Sequence, residues 1–381
     1  MKLSIADSIA TVSTDQWNAV AGTGNPFLRH EFLAALERND CVGEHYGWLP
    51  RHLLARDDTG QLVGAVPLYL KDNSYGEFVF DNAWADAYQR AGLAYFPKAV
   101  AAIPYTPATG PRILTAPGDQ GDAAAAQLIQ LAQEWATSEN LSSLHWLFTD
   151  STDTQRLEQA GLLLRLGCQF HWRNAGYRDF DDYLSGFSSR KRKKVRRERR
   201  YVREAGIAIS VVHGHQATAA ELEVMYGFYH STFEKKWGYP TLSLGFFREI
   251  ATSMGEQLVF IIARKGQRVV AGAICLRGDD ALYGRHWGCC EEYHSLHFEV
   301  CYYQGIDYCI EHGLSLFEPG AQGEHKISRG FLPTPTWSAH WIQHDGFRDI
   351  IARHLVQETR TMRDYIDELS GRSPFRRSEV A

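Results

Sequence analysis

Side chains that could move a proton from an amine gather in the C-terminal half of the sequence. Glu318 closes a predicted strand and directly precedes Pro319 and Gly320, so its carboxylate should lie at a sheet end beside an open loop. In a functional role it would be a general base or would anchor the amine. The alternative is a structural role, as a solvated loop acid or as the partner of a nearby arginine. His286, on a predicted strand, is a second candidate for proton transfer, although a strand histidine among aromatic side chains is more often a core residue.

A cluster of charged side chains follows Glu318: Glu324, His325, Lys326 and Arg329. A lysine or arginine is the natural partner of a phosphate or of a developing oxyanion, and the interleaved glycines suggest a backbone shaped for close approach. The alternative is a charged surface loop. Metal chemistry is not expected, because His294 and His297 could share a helix face but no third ligand is evident.

Residues 190–203 form a strongly basic block, RKRKKVRRERRYVR. It holds ten Lys and Arg and one Glu, a local charge of +9; the whole chain carries −5, so the rest carries −14. Such self-repulsion favours a polyanionic partner over a merely solvated helix face. Candidates are tRNA, coenzyme A or the phosphopantetheine of a carrier protein, and anionic lipid headgroups. Tyr201 is the only aromatic residue in the block, so phosphate contact is expected rather than base reading.

The elements that position these residues follow an internal repeat. Residues 53–76 and 261–284 match at an offset of 208, with shared Ala-Arg, Gly-Ala and Tyr-Gly pairs. Each copy predicts a β-meander, and a chance match of two hairpins is the alternative. The first copy predicts strands near 62–70 and 77–83, a helix near 122–138 and a strand at 144–148. The second predicts strands at 282–289 and 314–317 around a helix at 296–311.

The basic block lies in a segment, 179–205, that predicts one helix. Asp179, Asp181 and Asp182 suit its positive N-terminal end, and Gly206 ends it. A thin apolar seam at helical spacing leaves a wide cationic face; the seam consists of Leu184, Phe187, Val195 and Val202.

Length and composition bound the protein class. A chain of 381 residues with 44% apolar and 22% charged residues predicts a globular protein with two domains. No apolar run is long enough to span a bilayer, and Asp7 interrupts any signal-peptide core. Seven cysteines without a CxxC pair predict free thiols and a cytoplasmic location.

Two stretches resemble the FemAB-like predicted N-acyltransferases, in the peptidoglycan biosynthesis/recognition branch. The stretch LSGFSSRKRKKVRRERR, ending in EAGI, resembles the family's S-S-K-R-R-x-x-[IL]-R-[KR] helix. Residues 305–331 resemble its helix–Gly–strand–acid segment and Lys-x-x-x-Gly-Phe-type run. Residues 25–28 (NPFL), 105–112 (YTPATGPR) and 318–326 (EPGAQGEHK) also look typical of this branch.

The resemblance implies an α/β (α+β) chain of two tandem GNAT-like domains, which have the acyl-CoA N-acyltransferase fold. They would span 1–165 and 166–381, the second including the basic helix 183–204 between them. One departure concerns the turn where common acetyltransferases hold the coenzyme A pyrophosphate on glycines. Here residues 289–295 read CCEEYHS, with two carboxylates and no glycine. Either the donor differs, or side chains hold its phosphates.

The predicted function is N-acyl transfer from an activated (thio)ester to an amine bound in the cleft between the domains, without a permanently bound cofactor. The cosubstrate would be acyl-CoA, acyl carrier protein or aminoacyl-tRNA; no DNA partner or metal is expected, and the oligomeric state stays open. Alternatives are a Fem-type aminoacyltransferase acting on a peptidoglycan precursor, or a non-catalytic protein that recognises cell wall or lipid. The predicted catalytic residues are Glu318, His286 and Lys326; the substrate-binding residues are Arg329, His325, Trp287, Tyr283, His297 and Tyr302; the donor-binding residues are Arg190, Lys193, Arg196 and Arg197.

Overall fold

The computed structural model describes residues 1–234, 238–321 and 323–376. The chain divides into two units, the first comprising Met1–Cys168 and Pro335–Tyr365, the second Gln169–Thr334 and Ile366–Ala381. The sequence-based division assigned all of 166–381 to the second domain. Pro335–Tyr365 groups with the first unit because its strand pairs with Ser143–Thr149 and its helix packs on Trp84 and Tyr88. None of the described helices is long and apolar enough to span a bilayer.

The first unit is a mixed α/β structure with two groups of paired strands, ordered β1-β3-β4-β7 and β15-β8-β6-β5-β2. Its strands are β1 (Lys2–Ala6), β2 (Leu49–Pro50), β3 (His52–Arg56), β4 (Leu62–Val66), β5 (Leu68–Lys71), β6 (Lys98–Ala101), β7 (Leu114–Thr115), β8 (Ser143–Thr149), β9 (Leu163–Arg173), which ends in the second unit, and β15 (Leu332–Ile342), which begins there. Its helices are α1 (Thr14–Ala21), α2 (His30–Arg38), α3 (Asn82–Arg90), α4 (Asp119–Ser138), α5 (Ser151–Gln159) and most of α12 (Asp345–Ser370).

The second unit contains a sheet ordered β10-β11-β12-β13-β14-β9. Its further strands are β10 (Ile207–His213), β11 (Leu258–Lys265), β12 (Arg268–Arg277), β13 (Ala281–Cys289) and β14 (Leu316–Glu318). Its helices are α6 (Phe180–Ser185), α7 (Ser189–Glu204), α8 (Ala219–Glu234), α9 (Leu244–Ser253), α10 (Leu296–Phe298) and α11 (Gln304–Glu311), with a π-helical turn, Glu299–Tyr303, joining the last two. A 3-10 turn, Glu324–Arg329, precedes β15.

The repeat found in the sequence corresponds to two hairpins, β3–β4 and β11–β12. Each has a register shift at its Ala-Arg pair, Ala55/Arg56 and Ala263/Arg264. In each, the matched glycine of the second strand lies under a helix. A Cβ on Gly64 would come within 2.9 Å of Leu128 in α4, and a Cβ on Gly272 within 2.4 Å of Met225 in α8. The hairpin and its small residue for helix packing are thus what the two copies share.

Two sequence-based elements differ from the structure. The segment 179–205 is broken into α6 and α7, and residues 186–188 between them pair with the C-terminal segment: Ser188 N–H donates to Pro374 O at 3.0 Å. Residues 77–83 form no strand. Instead Lys98 of β6 binds the segment before α3, donating to Ser74 Oγ at 2.9 Å, to Glu77 Oε2 at 2.8 Å and to the Asp81 carboxylate. Charged side chains at 77 and 81 favour these bonds over strand pairing.

Candidate active site in the second unit

The site begins where two parallel strands of the second unit diverge. β13 and β14 pair at only three positions, ending with Tyr283 opposite Glu318. β13 runs on to Cys289, whereas Pro319 and Gly320 lead the chain out of β14, Gly320 with a positive φ of 98°. Glu318 is therefore the last residue of the pairing and is only 5% exposed. A buried carboxylate at the carboxyl end of a parallel strand is placed for chemistry rather than for solvation.

A β-bulge in β13 brings Arg285 to this point. Ile274 of β12 pairs with His286 while Cys275 pairs with Gly284, so Arg285 is the extra residue. Burial lowers the pKa of Arg285 to about 10, an effect opposed by the charge of Glu318. The guanidinium thus stays cationic near the carboxylate at neutral pH. Arg285 was not among the residues predicted from the sequence, because strict strand alternation carries no signal of an inserted residue.

The bulge also makes Tyr283 and His286 project from the same face of the sheet as Glu318. His171 of β9 lies on this face, with its Nε2 4.0 Å from Glu318 Oε1. Burial lowers the pKa of His171 to about 3 and that of His286 to well below its usual value, so both rings are neutral. The His286 ring packs edge-on against Tyr229 at 4.6 Å. Of these residues, Glu318 alone offers a negative charge.

The other predicted substrate-binding residues form an aromatic cluster on the opposite face. Trp287 follows His286 on the strand and so points the other way; its ring lies 4.9 Å from that of His297. The His297 ring is 5.3 Å from Tyr302, whose hydroxyl is 2.8 Å from His325 Nε2. The sequence grouped these residues with Glu318 and His286 in one site, and the structure divides them between two faces.

Lys326 lies beside the divergence. It is only 2% exposed, and its ammonium donates to Gly320 O at 2.6 Å, two residues past Glu318. That is its one hydrogen bond within the described part of the chain, and no described carboxylate forms an ion pair with it. Burial lowers the pKa of Lys326 to about 8. A buried ammonium with spare N–H donors is costly to keep and is suited to meeting an incoming negative charge.

Arg329 does not offer free donors in the same way. Its Nη2 donates to Glu198 Oε1 at 2.8 Å and its Nη1 to His325 O at 2.7 Å. Nε is within hydrogen-bond distance of Glu198 Oε2 and of the Tyr303 hydroxyl. The guanidinium is 2% exposed and is held inside the protein, so phosphate or oxyanion binding by Arg329 would require it to leave these partners.

The basic helix α7 forms one wall of an open groove of about 1630 Å³. Val195, Glu198 and Val202 are its buried side. The predicted donor-binding residues differ in whether they already bond to another residue of the protein. Arg190, Lys193 and Arg197 are exposed and have no hydrogen bond or ion pair to any described residue, whereas Arg196 pairs with Asp181 at 2.8 Å. The three free cations are three or four residues apart and therefore form one stripe along the helix.

The FemAB-like family, described as peptidoglycan biosynthesis/recognition, matches residues 8–377. The chain belongs to the FemAB-like family. This confirms the family identified from the sequence, and with it the expectation of an acyl- or aminoacyltransferase of that type with two GNAT-like units. A search of curated proteins returned no significant match.

Solved structures with a similar fold include FemX, at 12% identity and a TM-score of 0.54, covering 92% of this chain and 100% of FemX. The C-terminal domain of a lysylphosphatidylglycerol synthetase-like protein from Agrobacterium fabrum matches at 10% identity and a TM-score of 0.56, and the match covers 92% of this chain and 97% of that domain. L-PGS from Bacillus licheniformis matches at 9% identity and a TM-score of 0.50, and the match covers 90% of this chain and 96% of the L-PGS chain. At these identities the likeness is one of fold.

The two N-terminal segments that resemble the FemAB-like family, residues 25–28 and 105–112, contact each other inside the first unit. A Cβ on Gly110 would come within 2.5 Å of Asn25 Nδ2. Residues 102–108 are buried, and Gly110 pairs in parallel with Thr149 at the end of β8. This loop therefore fills the place beside β8 past the end of β6, where β6 and β8 would otherwise diverge as β13 and β14 do. The open divergence with its buried acid is found in the second unit.

Proposed function

We propose that the second unit transfers an acyl or aminoacyl group from an activated ester to an amine. One observation carries the proposal: a buried carboxylate, Glu318, ends the β13–β14 pairing, and the buried ammonium of Lys326, which has one hydrogen bond within the described residues, donates to the Gly320 carbonyl. Membership of the FemAB-like family supports it, as do the names of the similar structures, FemX and lysylphosphatidylglycerol synthetases.

In the proposed reaction Glu318 takes a proton from the ammonium of the acceptor. The freed amine attacks the carbonyl carbon of the donor, and the C=O electrons move to oxygen. Lys326 stabilises this oxyanion with its spare N–H donors. When the carbonyl re-forms, the C–O or C–S bond to the carrier breaks, and the leaving oxygen or sulfur takes the second proton that the attacking nitrogen releases. The products are an amide and the free carrier.

Donor phosphates would be held by α7 rather than by the turn after β13. That turn, residues 289–295, has no glycine, and Glu291 within it pairs with Arg268. From Arg190 to Arg203 the cations of α7 extend over about 20 Å at 1.5 Å per residue. This length exceeds what a single pyrophosphate needs, and it favours aminoacyl-tRNA as a second candidate donor beside a thioester of coenzyme A or a carrier protein. Either donor fits a cytoplasmic location, as do the seven cysteines, none of which forms a disulfide in the described part of the chain.

The test begins with a thermal-shift screen of acyl-CoAs, acylated carrier protein and aminoacyl-tRNA against an amine panel that includes a peptidoglycan precursor. Product formation is then followed by mass for wild type, Glu318→Gln and the control Glu324→Gln, which changes an exposed acid on the neighbouring 3-10 turn. We expect Glu318→Gln to lose about a hundredfold or more in rate and the control to keep wild-type activity. Equal activity of the two variants would overturn the role of Glu318.

The donor is tested separately by replacing Arg190, Lys193 and Arg197 together with Gln. The control replaces three exposed arginines of α12 instead, Arg353, Arg360 and Arg363. If α7 holds a nucleic-acid backbone, the first triple variant weakens tRNA binding and reduces its dependence on salt, and the control does neither. Unchanged tRNA binding in the first triple variant would exclude α7 as the site.

A further inference from the structure

The side chain of Arg329 joins several elements of the second unit at one buried point. It forms a bidentate ion pair with Glu198 of α7, in which Nη2 lies 2.8 Å from Oε1 and Nε lies 3.2 Å from Oε2. The hydroxyl of Tyr303, in the π-helical turn, bonds to the same carboxylate and lies 3.1 Å from Arg329 Nε. The guanidinium also lies 3.3 Å from the ring centre of Phe298.

The backbone around Arg329 is tied just as closely. Its own carbonyl accepts from the Tyr183 hydroxyl of α6 at 2.6 Å, and its Nη1 donates to the carbonyl of His325 at 2.7 Å. A Cβ on Gly330 would overlap Tyr183 Oη at 2.0 Å, and Gly330 has a positive φ of 87°, so only glycine fits there. The 3-10 turn carrying Lys326 is therefore fixed to α6 and α7 through Arg329.

The partner of Arg329 on α7 is unusual in that helix. Glu198 is the one acid among residues 190–203 and is 6% exposed. A solvated basic helix has no need of a buried acid, and a buried ion pair is weak evidence for stability on its own. A bidentate buried pair does, however, fix the two elements that it joins in a single geometry. Glu198 thus ties the inner side of α7 to the turn that holds Lys326.

We propose that the Glu198–Arg329 pair is a positioning joint that couples the occupancy of the cationic stripe of α7 to the placement of Lys326. The inference rests on the proposed function of Lys326 and α7, and it reassigns Arg329 from substrate binding to positioning. A polyanion bound along Arg190, Lys193 and Arg197 would hold α7 still, and the joint would pass this restraint to the 3-10 turn. The ammonium would then be ordered when the donor is present.

The experiment measures the rate at which Lys326 of the full chain is acylated by an amine-reactive reagent, resolved by peptide mass spectrometry. The rate is compared with and without saturating unfractionated tRNA, whose binding is measured separately. In wild type we expect tRNA to slow Lys326 labelling about fivefold or more, the lower range of coupling between linked sites. In Glu198→Gln the protection should fall to about twofold or less, with tRNA still bound.

A matched control changes an exposed ion pair on the same turn. Arg372→Gln removes the exposed contact of 3.0 Å with Glu324 and should leave the protection at its wild-type value. If Glu198→Gln does not fold, Tyr303→Phe removes one bond of the joint and should halve the protection or more.

The outcomes separate this inference from the proposed function. Absence of tRNA binding to wild type would refute α7 as a nucleic-acid site, and with it the coupling between bound tRNA and Lys326. Binding without any change at Lys326, or protection that survives both joint variants, would overturn the joint alone. Protection lost in Arg372→Gln as well would equally overturn it, because an exposed contact would then suffice.

Discussion

Replacing the buried Lys326 by methionine should change the stability of the protein in a manner that depends on pH and favours the variant at low pH. Burial lowers its pKa from 10.5 to about 8 in the folded state. Because the pKa of Lys326 is lower in the folded state than in the unfolded state, the free energy of unfolding decreases as the pH falls from 10.5 to about 8. At 1.36 kcal/mol per pKa unit, this loss is about 3 kcal/mol at pH 6.5 and about 1 kcal/mol at pH 9.5.

Lys326→Met removes that loss and also removes the hydrogen bond to Gly320 O, worth about 1–3 kcal/mol at any pH. The free energy of unfolding, measured in urea at both pH values, should therefore favour the variant by about 2 kcal/mol more at pH 6.5 than at pH 9.5. The variant should also be inactive in transfer, as expected where stability is sacrificed for function. A stability difference that is the same at both pH values would refute the assignment of Lys326 as an uncompensated buried ammonium.

Three further predictions concern other positions. Lys98→Met in the first unit should destabilise the protein by about 3–5 kcal/mol, because it leaves Glu77 and Asp81 as buried acids without their cation. Urea unfolding measures this, and a stabilised variant would contradict it. His286→Gln should leave the pH dependence of transfer between pH 6 and 8 unchanged, since this imidazole is already neutral there; a shifted profile would make His286 the titrating base. Gly288→Ala should lower the free energy of unfolding by about 1–3 kcal/mol, because the new Cβ would lie 2.5 Å from the α8 backbone. A variant that unfolds at the same denaturant concentration as wild type would contradict this and would show that α8 can move.

Much of the second unit was predictable from the sequence. The strand at 282–289, the helical stretch at 296–311 and the apolar seam of the basic segment all follow from periodicity. The strand ending at Glu318 was predictable because Pro319 and Gly320 cannot continue it. These are local features, which short-range patterns determine.

The rest depends on contacts between residues far apart in the chain. Neither the bulge at Arg285 nor the approach of His171 to Glu318 leaves a local signal, because both depend on strand register. The division of His286 and Trp287 between two faces follows from strand alternation and was within reach of the sequence. The ion pair between Arg329 and Glu198 could not be predicted from the sequence, since the two residues are 131 positions apart. The Tyr75-Gly76 match of the repeat also fails, because 72–81 is bound to Lys98 instead of forming a strand.

The role of Glu318 as the base is tested most directly by comparing two nucleophiles in Glu318→Gln. An ordinary primary amine is protonated at neutral pH and needs a base, whereas hydroxylamine is already neutral and does not. The variant should lose about 10²–10⁴-fold in rate with the amine and regain most of that rate, relative to wild type, with hydroxylamine. An equal loss with both nucleophiles would contradict proton removal by Glu318, and no loss with either would contradict any part for it in the reaction.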